Sequence, residues 1–517
     1  MNKVATEAKL SEAVLIDGAS RSMCSVRHRA ARAAAGLIAL GVREGDAVGL
    51  LLRNDFAFLE ASIAATEIGA YPLPVNWHLV PAEVEYILQD AAPRVLIAHA
   101  DLLAAIRHVV PAGTPLLTVP TPEPMRAAYH LAEEAGRPAS GDTEWEAWCD
   151  GFEPWPGPPR RPRATMIYTS GTTGQPKGVR REAASPEMAE ANRALIASTY
   201  GVRPGMRAYI GGPLYHASPN AFGRMSVGIG DLLAMQSRFD AEGLLALIER
   251  QRLTHLVMVP AMFVRLMKLP EEVRRRYDVS SLEWVTHTGS PCPPEVKRAL
   301  IAWWGPVVHE LYGGTETGAA VHCNSEEWLA HPGTVGRPVP GTTLRILGED
   351  GSEVAPGTPG EIFMRCSAYT DFTYHNLPEK RREVERDGLI TCGDIGYIDE
   401  DGFLYLCDRK RDMIIVGGVN IYPAEIESAL LQHPGVRDCA VFGVPDDELG
   451  ESIMAIVEPA GTGLTPEELL GFLGPRIARQ KHPRHIRFEA ALPREESGKI
   501  FKRKLREPYW AARARAI

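Results

Sequence analysis

Four stretches of this chain combine residue types that could do chemistry. "YTSGTTGQPKG" (168–178) sets small hydroxyl residues and glycines ahead of one cation, Lys177. A loop with so many unhindered backbone N–H groups can curl round a phosphate, the hydroxyls and the ammonium adding donors and charge. It lacks the GxxxxGK[ST] spacing of a Walker A loop, and a surface loop without a ligand fits the same residues. "YGGTETG" (312–318) offers a ring that can stack on a base, a threonine hydroxyl and one carboxylate, Glu316. A lone carboxylate beside phosphates suits Mg²⁺, which keeps most of its waters; standing alone, the stretch also reads as an exposed turn.

In "TCGDIGYIDEDGFLYLCDRKRD" (391–412), Asp394 is bracketed by glycines and Arg409 follows it. An aspartate can accept from both hydroxyls of a ribose, and an arginine fork can hold it or a phosphate. A hairpin turning at "DEDG" with solvated charges is the alternative. "PREESGKIFKRKLRE" (493–507) reads as a solvated basic tail, except that Lys499 stands apart from Lys502, Arg503 and Lys504.

These stretches need a frame. The chain has 517 residues, 45% of them hydrophobic and 23% charged, enough for several buried cores. A net charge of −9 argues against a dedicated nucleic-acid binder. The cysteines (24, 149, 292, 323, 366, 392, 407 and 439) form no CxxC pair and no zinc-ligand spacing. The N-terminal residues hold no long apolar core, and no window is apolar enough to span a membrane. The expected location is cytoplasmic, with reduced thiols.

Before the glycine-rich loop, short apolar runs ("DAVGLLL", "RVLIAH") alternate with helical segments ("SVRHRAARAAAGLIALGV", "DFAFLEASIAATEIGA", "AEVEYILQDA"), the rhythm of βαβ units on a parallel sheet. From about Gly141 to Arg163 the proline-dense "EPWPGPPRRPR" predicts a surface connection. Alternation resumes with "AEGLLALIERQRL", "HLVMV" and "PEVKRALIAWW". From about Pro332 to Leu406 short strands broken by Gly and Pro suggest a small β-barrel or sandwich. A compact α+β unit follows, and "DRKRD" (408–412) marks the expected boundary.

Taken in order, "YTSGTTGQPKG", "PLYHASPN", "YGGTETG", "CGDIGYID", "DRKRDMIIVGGVNIYPAEIE" and "SGKIFKRKLR" resemble the acyl-adenylate-forming superfamily: acyl-CoA synthetases, peptide-synthetase adenylation domains and beetle luciferases. The resemblance runs from about Arg21 to Arg506. It implies an α/β fold with a large N-terminal domain at 1–408, made of two βα-layered subdomains to about 331 and a β-barrel-like subdomain at about 332–406. A small mobile α+β domain, 409–517, would follow. It also implies a two-step reaction. A carboxylate attacks the α-phosphate of ATP·Mg²⁺, giving acyl-AMP and pyrophosphate, and the thiol of coenzyme A then displaces AMP.

By the same resemblance, Thr169, Ser170, Gly171, Thr172, Thr173, Gly174 and Lys177 bind the β- and γ-phosphates. Tyr312 stacks on adenine beside Gly313 and Gly314, Thr315 contacts the α-phosphate, and Glu316 holds Mg²⁺. Asp394 and Arg409 grip the ribose. Lys499 is the adenylation lysine, bridging carboxylate and α-phosphate, a role of charge neutralisation and alignment. His216 resembles the gate beside the acyl pocket, and Gly417 and Gly418 line the pantetheine tunnel. Arg411 falls at the hinge position, where the family usually has Asp or Lys.

The segment "YHASPN" lacks the Asp by which amino-acid-activating relatives pair an ammonium, and no carrier domain follows, so a free-standing acyl-CoA ligase is expected. A carrier-protein loader, an oxidative light-emitting relative and a nucleotide-binding protein without catalysis are the alternatives. Segments 215–225, 257–263 and 286–291 should build the acyl pocket, with Gly289, Ser290 and Pro291 also among the cofactor-binding positions. Apart from His216, Arg224 and His287 they are small, apolar or neutral. A hydrophobic monocarboxylate is therefore expected: a medium or long fatty acid, an aryl acid or a steroid-type acid. The resemblance admits a homodimer, and the expected partners are the small acid, ATP and coenzyme A.

Overall fold

The structure, a computed structural model, describes residues 12–169, 176–410, 412–416, 419–446, 449–494 and 500–511. Two parallel sheets organise the first half. In the smaller, strands run in the order Tyr71–Pro74, Ala47–Leu51, Val95–His99, Leu116–Val119, Thr143–Glu144, all pairs parallel. All five residues of Ala47–Leu51 and of Val95–His99 are buried, which is why these strands read as apolar runs.

The larger sheet has nine strands. Its centre is parallel, in the order Val308–Gly314, Trp284–His287, His255–Met258, Arg207–Ile210, Leu232–Met235 and Ala13–Ile16, with an antiparallel hairpin at each edge. The helices Met23–Ala39, Phe56–Glu67 and Ala217–Ile229 lie between the sheets. Their core joins Leu50 and Ile97 of one sheet to Ile210, Met235 and Val257 of the other. Ser22 opens the first of these helices by accepting from the Ser25 N–H at 3.0 Å. A second core, with Leu256, Phe263, Leu300 and Trp304, covers the opposite face.

The proline-dense connection holds more structure than its composition suggests. Thr143–Glu144 adds an edge strand and Trp145–Asp150 a short helix. Trp145 is fully buried, its indole N–H donating to Glu60 Oε2 at 3.1 Å. That carboxylate also accepts from Arg21 at 2.7 Å, so one buried acid anchors the segment. The prolines themselves lie after it, outside regular structure.

The β-rich region expected at about 332–406 contains an antiparallel sheet of five strands, open in its described pairings, from Thr342–Leu347 to Leu404–Arg409. A three-stranded sheet orders Phe372–Tyr374, Lys177–Arg181 and Ile167–Thr169, so the arms of the glycine-rich loop are antiparallel neighbours. The α+β unit has a five-stranded sheet drawn from residues between Ile414 and Phe488, with the helices Pro423–Leu431 and Pro466–Leu473 on its own core. No described helix is long and apolar enough to cross a membrane.

Candidate active site

Parallel strands place ligands beyond their carboxyl ends, and several of the expected site residues lie there. Arg207–Ile210 leads to His216, at the N-cap of the helix Ala217–Ile229. Trp284–His287 leads to Gly289, Ser290 and Pro291. Val308–Gly314 ends in the turn 315–317 and returns as Gly318–Cys323.

That hairpin is tight for a definable reason. A Cβ on Gly313 would lie 1.8 Å from Gly318 O, and one on Gly318 would meet the Tyr369 ring at 2.5 Å. Gly318 also has φ +73°, where a side chain is strained. The Gly314 N–H donates to Thr317 Oγ1 at 2.8 Å, which closes the turn. The result projects Thr315 and Glu316 from a fixed backbone.

Two groups of residues meet at this hairpin. In the first, Tyr312 Oη donates to Asp394 Oδ2 at 2.8 Å, and Arg409 Nε lies 3.3 Å from Asp394 Oδ1. Asp394 and Arg409 face each other across adjacent antiparallel strands, which explains their separation in sequence. Burial, and then the Asp394 carboxylate, push the Tyr312 phenol well above its usual value, so it stays a donor. Burial, the largest single influence, pulls the Arg409 guanidinium down, but Asp394 together with the nearby Cys392, Asp412 and Tyr312 outweighs it and the net shift is upward.

In the second group, Glu316 Oε1 accepts from Thr169 Oγ1 at 3.3 Å and from Tyr374 Oη at 3.1 Å. The buried Lys177 places Nζ 5.1 Å from the centre of the Tyr374 ring. Burial, then nearby Lys380, lowers its pKa, with Glu383 and Glu316 opposing. Among the described residues Glu316 Oε2 has no hydrogen bond. A single half-buried carboxylate with one oxygen occupied by hydroxyls and one open matches the sparse protein ligation Mg²⁺ takes beside phosphates.

Cys392 lies between the groups, its Sγ 3.8 Å from Thr317 Oγ1 and two residues before Asp394. His216 is half-buried, its ring centroid 4.5 Å from that of Tyr215. Gly289 has φ +91°, and a Cβ there would meet nothing nearer than Val259 at 3.9 Å, so its role is conformational freedom in the connection. Ser170, Gly171, Thr172, Thr173, Gly174, Arg411, Gly417, Gly418 and Lys499 lie outside the described residues.

One expectation changes. His287 does not face an acyl pocket: its side chain is fully buried against Phe263, 3.6 Å from Glu310, on the face covered by the helix Pro294–Trp304. Strand alternation decides this, since Val285 and His287 share the core-facing side. Val257, Met258, Met262 and Phe263 are core as well, so part of the apolar character of 257–263 belongs to packing.

Two contributors lie outside the quoted motifs: Tyr374 and Arg181, which reach the turn that carries Glu316. Cys392, inside "CGDIGYID" but given no role there, packs behind Gly314. Residues 177, 179 and 181 alternate along one strand, which puts Lys177 and Arg181 on one face; that periodicity was the available signal.

Known proteins resemble this chain over most of its length. The family model for AMP-binding enzymes matches residues 3–370, and that for the AMP-binding enzyme C-terminal domain matches 425–499. The fatty acid–[acyl-carrier-protein] ligase ScoC of Streptomyces coeruleorubidus is 33% identical over 517 residues, covering 98% of this chain and 95% of the relative. A feruloyl-CoA synthase of an Amycolatopsis species is 34% identical over 510 residues, 96% of each chain. The structure of amide bond synthetase McbA from Marinactinospora thermotolerans matches with a TM-score of 0.82 at 26% identity, covering 96% of this chain and 97% of that one.

Proposed function

Since the chain belongs to the AMP-binding enzyme family and is accordingly an adenylate-forming acid–thiol ligase, we propose that it activates a hydrophobic carboxylic acid as the acyl-adenylate and passes it to coenzyme A. The observation that carries this reading is the meeting of Tyr312, Asp394 and Arg409 with Thr169, Glu316 and Lys177 on one hairpin. The first set suits an adenosine, with Tyr312 against the base and Asp394 and Arg409 at the ribose. The second suits a triphosphate chain.

In the first step an oxygen of the acid attacks the α-phosphorus and pyrophosphate leaves. Two anions must approach, so the chain's task is alignment and charge neutralisation. In this reading Lys177 serves the β- and γ-phosphates, Thr315 the α-phosphate, and Lys499 would bridge the carboxylate and the α-phosphate. Glu316 would hold Mg²⁺, which supplies further neutralisation of phosphate charge. In the second step the thiolate attacks the acyl carbon and AMP leaves with the former carboxylate oxygen. The domain bounds 1–408 and 409–517, with rotation near Arg411, complete the proposal.

The acid is proposed to be a medium- or long-chain fatty, aryl or steroid-type acid. Relatives named for a fatty acid and for ferulate support this range. A carrier-protein thiol is the second reading for the acceptor, favoured by the likeness to ScoC. The test is mass spectrometry of reactions containing ATP, Mg²⁺ and a graded panel of acids, with coenzyme A, a phosphopantetheinylated carrier protein, or neither. The proposal expects acyl-AMP without thiol and acyl-CoA with coenzyme A, for apolar acids above short polar ones. Turnover confined to acetate- or malonate-sized acids would overturn the substrate class, and transfer to the carrier alone would favour the second reading.

A further inference from the structure

Arg181 stands four residues beyond Lys177 on the arm leaving the glycine-rich loop, and it has no assigned role in the chemistry. Its Nη2 donates to Thr315 O at 2.9 Å and to Glu316 O at 2.6 Å. Its Nη1 donates to Thr370 O. The guanidinium lies 5.4 Å from the Tyr369 ring centre and 5.8 Å from that of Phe372. Tyr369 is the ring that a side chain at Gly318 would strike, so the same aromatic bounds both the hairpin and the guanidinium. No carboxylate among the described residues is within ion-pair distance, and an arginine stays charged in a protein. A planar five-donor fork held on backbone carbonyls fixes direction as well as distance.

We infer that Arg181 is a positioning residue that locks the turn bearing Thr315 and Glu316 to the strand bearing Lys177, setting the metal-side carboxylate and the phosphate-side lysine as one unit. This rests on the nucleotide-site reading above. Arg181 bonds the backbone carbonyl of Glu316, not its carboxylate, and so acts through the backbone that aims it. Partners that orient a metal ligand typically matter by about 10–100-fold.

The test is calorimetric binding of ATP with Mg²⁺ and of ATP with EDTA to the full chain, for wild type, Arg181→Met and Arg181→Lys. Arg181→Met is expected to weaken Mg²⁺-dependent binding at least tenfold, while metal-free binding falls by a clearly smaller factor. Arg181→Lys, with its single ammonium, should fall between them, and it carries the test alone should the methionine variant not fold. Equal losses with and without Mg²⁺, or no loss in either, would overturn the inference even if acyl-AMP formation is intact. A wild type that binds ATP but forms no adenylate would overturn the function and leave this inference standing. A wild type that binds no ATP would overturn both.

Discussion

Tyr312 lies between two acid–cation pairs that differ in everything except their chemistry. Behind it, Lys297 Nζ and Glu310 Oε2 are 2.6 Å apart, with side chains 0% and 8% exposed. In front, Arg409 and Asp394 are 3.3 Å apart, with side chains 42% and 13% exposed. The first pair pins the helix Pro294–Trp304 to the strand that ends in the site. Both its charges are out of water, so each depends chiefly on the other. The second keeps water on its guanidinium and a face open to a ligand, and solvent screens it. One pair holds the strand, and the other is the pair proposed to meet a ribose.

The largest effect that could break this comparison is on stability. Lys297→Met should destabilise by about 3–5 kcal/mol, because it strands a buried carboxylate, whereas Lys297→Met with Glu310→Leu should recover much of the loss. Urea denaturation of the three chains reads this directly. A single variant costing under about 1 kcal/mol would show that the two pairs do not differ in kind.

Next in size is a pH effect on the other face of the same strand. His309 Nδ1 and His322 Nε2 lie 3.1 Å apart, and Trp284 stacks on His309 at 3.5 Å. Burial, then the neighbouring His322, pushes His309 down to about 3, and burial lowers His322 and His255. The unfolded chain protonates such rings below about 6.5. It therefore binds more protons than the folded chain between that value and the lowered ones, so stability falls as pH drops through this window. Each fully neutral ring contributes a slope of about 1.4 kcal/mol per pH unit. Melting at pH 7 and pH 5 should show the loss, and His309→Gln should lessen the slope by about one ring's share; an unchanged slope would refute the assignment.

The smallest structural effect belongs to the open pair. Arg409→Ala should change stability by no more than about 1 kcal/mol while raising the KM for ATP roughly tenfold, the worth of a charge-assisted hydrogen bond. Loss of stability without a change in KM would reverse the comparison.

The same contrast explains what could be read from the chain. Asp394, Arg409, Tyr312 and Glu316 were legible because they sit in short segments whose order resembles a known family, and the apolar strands because burial on both faces leaves no alternation to mistake. Lys297 and Glu310 were not, since a lysine in an amphipathic helix reads as solvated until its neighbour across the sheet is known. Arg181 was hidden likewise, because its partners are backbone carbonyls, which carry no residue identity. Trp145 escaped because nearby prolines dominated the local texture, and its acid Glu60 because a glutamate in a helix reads as solvated until its partners are known. His287 was placed in the pocket as part of segment 286–291, and strand alternation puts it in the core instead.

The most direct test of the central claim is the fate of the acid's own oxygen. The acid, labelled with ¹⁸O in both carboxylate positions, would be incubated with the protein, ATP, Mg²⁺ and coenzyme A, and the products weighed by mass spectrometry. Attack on the α-phosphorus predicts AMP carrying one ¹⁸O and unlabelled pyrophosphate. Label in inorganic phosphate with ADP formed, or AMP without label, would contradict an acyl-adenylate.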